Sequence, residues 1–121
     1  MSKTVLVVDD EKIMLSLFSR MLTTSGYQVL TAESGAQALQ ILASNPVGLV
    51  FTDVNMPGGD GISLISKIRQ HPNGRNVPVI MVTTESQMEK KNQAKAAGAN
   101  GWLQKPIKMS NLVSIAQRLL G

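Results

Sequence analysis

The stretch that decides the fold is Val5-Leu6-Val7-Val8-Asp9-Asp10, in which four apolar residues run directly into two carboxylates. Three later apolar runs have the same form and end on a polar residue: 49–52 on Asp53, 79–82 on Thr83, and 102–104 on Lys105. If all four runs are parallel strands of one sheet, their carboxyl ends open on one edge, where open α/β folds bind ligands. The pattern therefore predicts one crevice that holds three carboxylates, a hydroxyl and an ammonium.

Segments with the period of a helix follow the apolar runs. After Asp10, apolar side chains recur at the spacing of one helix face, at Met14, Leu17, Phe18, Met21 and Leu22. Gly26 and Gly98 are predicted to end the first helix and the fourth, the latter covering roughly residues 87–97. A short second strand covers 28–31, and Ser34 is predicted to cap the helix after it.

This alternation predicts an α/β fold in which parallel strands are joined by right-handed crossovers. We predict a five-stranded, parallel, doubly wound sheet of the flavodoxin-like (βα)5 type, with strand order 2-1-3-4-5 and helices on both faces. The first, third and fourth strands are almost wholly apolar, as strands buried on both faces are. The shorter and more mixed second and fifth strands belong at the edges.

The composition restricts the class of protein. The 121 residues predict a single domain over residues 1–121, with no linker and no output domain, and the lack of cysteine excludes disulfides and thiolate chemistry. No apolar stretch approaches the roughly 18 residues of a membrane span, so we expect no membrane insertion and a cytoplasmic location. The net charge is +4, but the twelve Lys and Arg are scattered and aromatic residues make up only 3%, so we expect no nucleic-acid partner.

The predicted crevice has the residues of a phosphoryl site. Two carboxylates about 4 Å apart repel each other by roughly 4 kcal/mol at an effective dielectric near 20, so the site keeps a proton or binds a hard cation such as Mg²⁺. Asp9 and Asp10 would hold the metal, while Asp53, alone at the end of a central strand, would be the nucleophile that forms an acyl phosphate. The Thr83 hydroxyl and the Lys105 ammonium would each take one phosphoryl oxygen.

Each of these residues also has a structural interpretation. An Asp-Asp pair after a strand often caps a helix, Thr83 could cap the next helix, and Lys105 alone would be a surface lysine. His71 is expected to be solvated and is assigned no role. The agreement of four strand ends favours a functional site.

Six short elements carry a resemblance to a known family: Asp9-Asp10-Glu11, Asp53-Val54-Asn55-Met56-Pro57, Gly61, Val82-Thr83, Gly98-Ala99 and Lys105-Pro106. In this order and spacing, over the whole chain, they resemble the receiver domain of two-component response regulators. Residues 83–86 and 101–106 are similar to the single-domain chemotaxis regulators of the CheY type.

This resemblance implies a phosphorylation site and a metal site. Asp53 would accept a phosphoryl group from a phosphohistidine on a sensor histidine kinase. Mg²⁺, with Mn²⁺ as a substitute, would be bound by Asp10, Asp53 and the backbone carbonyl of Asn55, while Asp9 would act largely through water. The Lys105-Pro106 peptide would be cis. The protein would be a signal carrier that catalyses only its own phosphorylation and dephosphorylation, and not an enzyme in the usual sense.

The resemblance also implies a switch. Phosphorylation would draw the Thr83 hydroxyl inward, and the ring of Trp102 would enter the vacated space, which changes the surface of the fourth helix, fifth strand and last helix. Residues 85–108 carry five Lys against two Glu, so Lys90, Lys91 and Lys95 would suit an acidic or amphipathic partner segment, although a solvated face is an equally good interpretation. Asn55 and Glu85 would flank the path of hydrolytic water and give a fast dephosphorylation.

The output is predicted to be protein binding by a monomer. The leading target is a component of the flagellar motor switch, with a phosphatase as a further partner. The alternatives are a relay intermediate that passes phosphate to a histidine phosphotransfer protein, or a phosphate sink. Trp102 stands where Tyr or Phe is usual, Ile107 stands where Phe is frequent, and the basic charge is uncommon, all of which affects the identity of the partner.

Two other functional classes share this fold. A flavin- or nucleotide-binding module would need Gly, Ser and Thr in place of Asp9-Asp10-Glu11, because free backbone N–H groups hold phosphate there. An aspartate-based phosphatase or phosphotransferase would need a second carboxylate near Asp53, where Asn55 stands, and a cap over the substrate.

Overall fold

Every predicted apolar run forms a strand in the computed structural model, which describes residues 3–54, 61–84 and 90–121. The strands are β1 (Thr4–Val8), β2 (Gln28–Ala32), β3 (Leu49–Asp53), β4 (Val79–Thr83) and β5 (Gly101–Gln104). All neighbouring strands pair in parallel, and their order is β2-β1-β3-β4-β5. The predicted fold class and strand order are confirmed.

The five helices connect successive strands and end the chain. They are α1 (Lys12–Thr24), α2 (Gly35–Ser44), α3 (Gly61–Gln70), α4 (Lys91–Ala97) and α5 (Met109–Leu120), with a 3₁₀ turn at Pro72–Gly74. The predicted start of the fourth helix near residue 87 lies outside the described residues, within which α4 begins at Lys91. No described helix combines the length and the apolar character needed to cross a membrane.

Local sequence signals account for several helix ends. The Ser34 hydroxyl accepts a hydrogen bond from the backbone N–H of Gln37 at 3.1 Å, as a helix N-cap does. Gly98 ends α4 with φ = 115°, a left-handed conformation that residues with a Cβ rarely adopt. His71 is not merely solvated: its Nδ1 accepts the backbone N–H of Asn73 at 3.0 Å and so opens the 3₁₀ turn.

The sheet separates two apolar cores because successive side chains of a strand point to opposite faces. On one face α1 and α5 cover the sheet, with Phe18, Leu22 and Leu112 packed against Val5 and Val7. On the other face α2, α3 and α4 pack against the alternate strand residues through their apolar stripes: Ala38, Leu42, Leu64, Ile65, Ile68 and Ala94. All residues of β1, β3 and β4 are buried, whereas β2 and β5 are partly exposed, as predicted for edge strands.

Candidate functional site

The parallel register brings the polar strand ends to one edge of the sheet, called here the carboxyl edge. Val8 pairs with Thr52, and Asp53 pairs with Val82, so Asp9 and Asp53 leave adjacent strands at the same level. Asp9, Asp10 and Asp53 each offer a carboxylate oxygen, and these three oxygens lie within 4.8 Å of one another. The three predicted carboxylates therefore form one cluster, which we call the acidic cluster.

Asp9 divides its two oxygens between the fold and the cluster. Its side chain is buried, and its Oδ1 accepts the backbone N–H of Glu11 at 2.9 Å, which shapes the turn into α1. Its Oδ2 lies 3.6 Å from the Lys105 Nζ. Glu11 occupies the N-cap position of α1, and no side chain caps that helix, so the capping interpretation of Asp9 is wrong. One Asp9 oxygen fixes the turn before α1, while the other faces the site.

Lys105 reaches into the acidic cluster from the end of β5. Its Nζ lies 3.3 Å from Asp53 Oδ2, and its side chain is only 17% exposed. Its backbone N–H donates to the Thr83 carbonyl at 2.6 Å, and the Lys105-Pro106 peptide is cis, as predicted. One ammonium against three carboxylates leaves two formal negative charges, which is the charge that a divalent cation neutralises.

The pKa values of the buried groups reflect this imbalance. Burial raises the pKa of the Asp9 carboxyl above its ordinary value of 3.8, and the hydrogen bond from Glu11 and the charge of Lys105 only partly oppose that effect. Burial alone lowers the pKa of the Lys105 ammonium, but the charges of Asp53 and Asp9 outweigh it and hold that pKa above its ordinary 10.5. Burial makes the ionised form of Asp9 unfavourable, and a bound cation would stabilise that form.

The donor set fits magnesium. The candidate ligands among the described residues are carboxylate oxygens, which are hard donors of the kind that Mg²⁺ and Ca²⁺ prefer. Asp10 is exposed whereas Asp9 and Asp53 are buried, so the cluster opens to solvent on the Asp10 side. The position of Asn55, the fourth predicted ligand, lies outside the described residues, so its role stays a prediction.

The backbone of Asp53 packs against Gly61, the first residue of α3. The backbone of Gly61 approaches so closely that a Cβ there would lie 2.0 Å from the Asp53 carbonyl oxygen, and its N–H donates to the Val54 carbonyl at 2.7 Å. Asp53 itself is 5% exposed. The sequence marked Gly61 only through a family motif, and this close approach supplies the physical reason for a glycine.

Thr83 occupies the same edge. It ends β4, its side chain is fully buried, and it follows the residue that pairs with Asp53. It therefore lies between β3, which carries Asp53, and Lys105 at the end of β5. Glu85 falls outside the described residues, and its predicted part in dephosphorylation stays a prediction.

Three of the predicted switch residues, Lys91, Lys95 and Trp102, lie together between α4 and the edge strand β5. Trp102 is 42% exposed, and the Lys91 Nζ lies 3.4 Å from the centroid of its ring, in a cation–π contact that sequence reasoning missed. Lys91, Lys95 and Trp102 line a cavity of about 370 Å³ between α4 and β5, and Lys90 directly precedes α4. In this structure the ring of Trp102 thus lies outward.

Comparison with known proteins gives consistent results. The family model of the response regulator receiver domain matches residues 5–117. The sensor histidine kinase RcsC of Salmonella typhi is 39% identical over 108 residues, which are 89% of this chain but only 11% of that kinase. The chain thus spans about a tenth of the length of this curated relative.

Two solved structures share both the fold and the sequence pattern. The chemotaxis protein CheY4 of Vibrio cholerae is 36% identical, with a TM-score of 0.93 over 99% of this chain and 100% of that one. The receiver domain of a sensor histidine kinase from Pseudomonas aeruginosa is 30% identical, with a TM-score of 0.88 over 98% of both chains. That structure has a magnesium ion coordinated in its active-site cleft.

Proposed function

The chain belongs to the response regulator receiver domain family, and from that membership we propose that it is a phospho-acceptor switch in which Asp53 takes a phosphoryl group from a sensor histidine kinase. The observation that carries this proposal is the contact of the Lys105 Nζ with both Asp53 and Asp9, at 3.3 and 3.6 Å. It places a cation beside the proposed nucleophile, inside a cluster that retains excess negative charge.

The chemistry follows from the positions of these groups. An Asp53 oxygen attacks phosphorus, the P–N bond to the donor imidazole breaks, and its electron pair stays on the imidazole nitrogen, which takes up a proton. Lys105 is positioned to neutralise charge on a peripheral phosphoryl oxygen, and the buried Thr83 hydroxyl to bind another. Asp9 and Asp10 would hold Mg²⁺, with Mn²⁺ as a substitute, and the ion when bound supplies further charge neutralisation. The magnesium in the active-site cleft of the Pseudomonas aeruginosa receiver domain supports a magnesium site in this fold.

We propose that the phosphoryl group is read out at the surface formed by α4, β5 and α5. Since Thr83 ends β4 and pairs with Gln104, a shift of its side chain toward phosphate would act on the strand that carries Trp102. Entry of this ring would require breaking its contact with Lys91, worth about 0.5–1 kcal/mol at an exposed site. An acidic partner segment would bind Lys90, Lys91 and Lys95 once the ring has moved.

For the output, chemotaxis through the flagellar motor switch is the leading candidate, supported by the similarity to CheY4 over the full length of both chains. A second candidate is phosphorelay, supported by the similarity to segments of two sensor histidine kinases. In either case we propose a cytoplasmic receiver domain that catalyses only its own phosphorylation and dephosphorylation. Transfer of radiolabelled phosphate from the phosphoform to a histidine phosphotransfer protein would favour the relay, and binding to a motor switch component without transfer would favour chemotaxis.

The test of the phospho-acceptor function is intact mass after incubation with acetyl phosphate and Mg²⁺. We expect one added phosphoryl group on the wild type and on Glu33→Gln, which removes an exposed carboxylate near the same edge. We expect none on Asp53→Ala or in the presence of EDTA. Turnover of a small phosphate ester well beyond one equivalent would instead indicate a phosphatase.

A further inference from the structure

The charged side chains are segregated along the strand direction. All eight acidic residues follow the carboxyl end of a strand in the sequence: Asp9, Asp10, Glu11, Glu33, Asp53, Asp60, Glu85 and Glu89. The helices α1 to α5 contain none. The acidic residues are therefore concentrated toward one edge of the sheet, although Lys and Arg are scattered along the sequence.

At the opposite end of the sheet, where the strands begin, the charged side chains of the described residues are Lys and Arg. Each helix starts near the carboxyl edge and returns to this end, because it connects parallel strands or follows the last one. Six cationic residues there are exposed and form what we call the basic edge: Lys3, Arg20, Lys67, Arg75, Lys95 and Arg118. Among the described residues, ion pairs involve only Lys12 and Lys105, so no described carboxylate pairs with the basic edge.

Arg69 lies nearby but has a different role. Its guanidinium donates to the carbonyls of Gly98 and Gly74 and to the Asn100 Oδ1, each at 2.8 Å. It ties the end of α3 to the end of α4, and its hydrogen bonds are used within the fold. We therefore do not count it with the basic edge.

Helix dipoles account for only part of this charge. Lys67, Lys95 and Arg118 lie in the last turns of their helices, where cations are favourable. Each helix end carries about half a negative charge, so five ends offset less than half of six positive charges. Lys3 and Arg75 lie outside the helices, so the dipoles do not explain their presence.

The arrangement of the basic edge favours a flat anionic partner. Arg20 and Arg118 belong to the helices on one face of the sheet, Lys67 and Lys95 belong to the other face, and Lys3 precedes the strand between them. A flat partner laid across this end of the sheet contacts cations from the helices of both faces at once, whereas a linear polymer in a groove contacts those of one face. Tyr27 is only 5% exposed, and the exposed ring of Trp102 beside Lys95 is already in contact with the Lys91 Nζ. The described residues therefore lack the row of stacking rings with which proteins bind nucleic-acid bases.

We propose that the basic edge docks peripherally on an anionic lipid bilayer, with the Lys and Arg side chains on the headgroups. Each cation near such a surface adds electrostatic attraction, and no side chain needs to enter the hydrocarbon. The acidic cluster lies at the far edge, so docking leaves it open to a phosphodonor. This inference is independent of the phospho-acceptor function, and either can fail alone.

The test is co-sedimentation of the whole chain with vesicles, either of phosphatidylcholine alone or of an equal mixture with phosphatidylserine. We expect binding only to the mixed vesicles, and we expect that binding to weaken as salt is raised. Each cation near an anionic surface contributes at most about fivefold to the affinity. The double variant Lys67→Gln/Arg75→Gln should therefore bind roughly tenfold more weakly than the wild type. The matched control, Lys12→Gln/Lys108→Gln, loses the same charge at the carboxyl edge and should bind like the wild type.

Three results would overturn the proposal. One is equal binding of the wild type to both vesicle types at low ionic strength. Another is an equal loss in the two double variants, because net charge and not the basic edge would then be responsible. The third is tighter binding to a short DNA duplex than to the mixed vesicles at the same ionic strength. Circular dichroism of both variants verifies that they are folded.

Discussion

Replacing Lys105 by methionine separates its structural role from its chemical one. The substitution keeps an unbranched apolar stem but removes the terminal ammonium, which lies 3.3 Å from Asp53 and 3.6 Å from Asp9. At an effective dielectric of 20 each contact has a Coulomb energy of about 5 kcal/mol, before the cost of desolvation is subtracted. Breaking buried pairs of this kind costs about 3–5 kcal/mol, because a charge is left without its partner.

Lys105→Met should therefore lower the free energy of unfolding by about 3 kcal/mol in EDTA at pH 7. Mg²⁺ should recover about half of this loss, since the cluster without its ammonium binds the ion about tenfold more tightly, or by roughly 1.4 kcal/mol. Phosphorylation by acetyl phosphate should nevertheless stay slower than in the wild type by about a hundredfold, because no ammonium meets the phosphoryl oxygen.

The assay combines urea unfolding with and without Mg²⁺ and the initial rate of phosphorylation by intact mass. Lys108→Met is the matched control, because it removes the same charge from an exposed position three residues away. It should leave all three quantities near the wild-type values. If Lys105→Met in EDTA is as stable as the wild type, and Mg²⁺ stabilises both equally, the proposed coupling of Lys105 to the acidic cluster is wrong.

Three further predictions concern neighbouring residues. Gly61→Ala should destabilise the protein by about 3 kcal/mol or more in urea unfolding, since the added Cβ would overlap the Asp53 carbonyl oxygen. Gly35→Ala, where a Cβ has room, should be close to neutral. Equal effects of the two substitutions would contradict the close approach at Gly61. Because burial raises the pKa of Asp9, its ionised form destabilises the fold at neutral pH. Asp9→Asn should therefore be more stable than the wild type in EDTA at pH 7, and this gain should vanish as the pH falls toward 3.8. A gain that is constant with pH would exclude titration of Asp9 as its cause. Trp102 fluorescence should change when Mg²⁺ and beryllium fluoride, a phosphoryl mimic, are added. Lys91→Gln should alter the emission spectrum before that addition, because it removes the cation from the ring. If neither change alters the fluorescence, the proposed coupling of Trp102 to the site is wrong.

Much of the fold was predictable because parallel strands buried on both faces leave a local trace. The apolar runs before Asp9, Asp53 and Thr83 each form a buried strand, and the position of the polar residue after each run follows from the parallel direction alone. The Ser34 cap and the Gly98 helix end are equally local, since each depends on a few neighbouring residues.

Other features depend on contacts between distant segments, which periodicity does not encode. The division of the Asp9 oxygens between Glu11 and Lys105 needs the end of β5 to meet the end of β1. The contact of Lys91 with Trp102 depends on the distance between α4 and β5. The segregation of charge likewise becomes visible only when each helix is placed with its direction in the fold.

The most direct test of the phospho-acceptor proposal is to locate the phosphoryl group itself. An acyl phosphate is a mixed anhydride that borohydride reduces to an alcohol, so the acceptor residue is permanently marked and can be read by peptide sequencing in a mass spectrometer. After acetyl phosphate and Mg²⁺, we predict the reduced product at position 53 and at no other acidic residue, with no product when EDTA is present. A product at Asp9 or Asp10, or the absence of any product under phosphorylating conditions, would contradict the assignment of Asp53 as the acceptor.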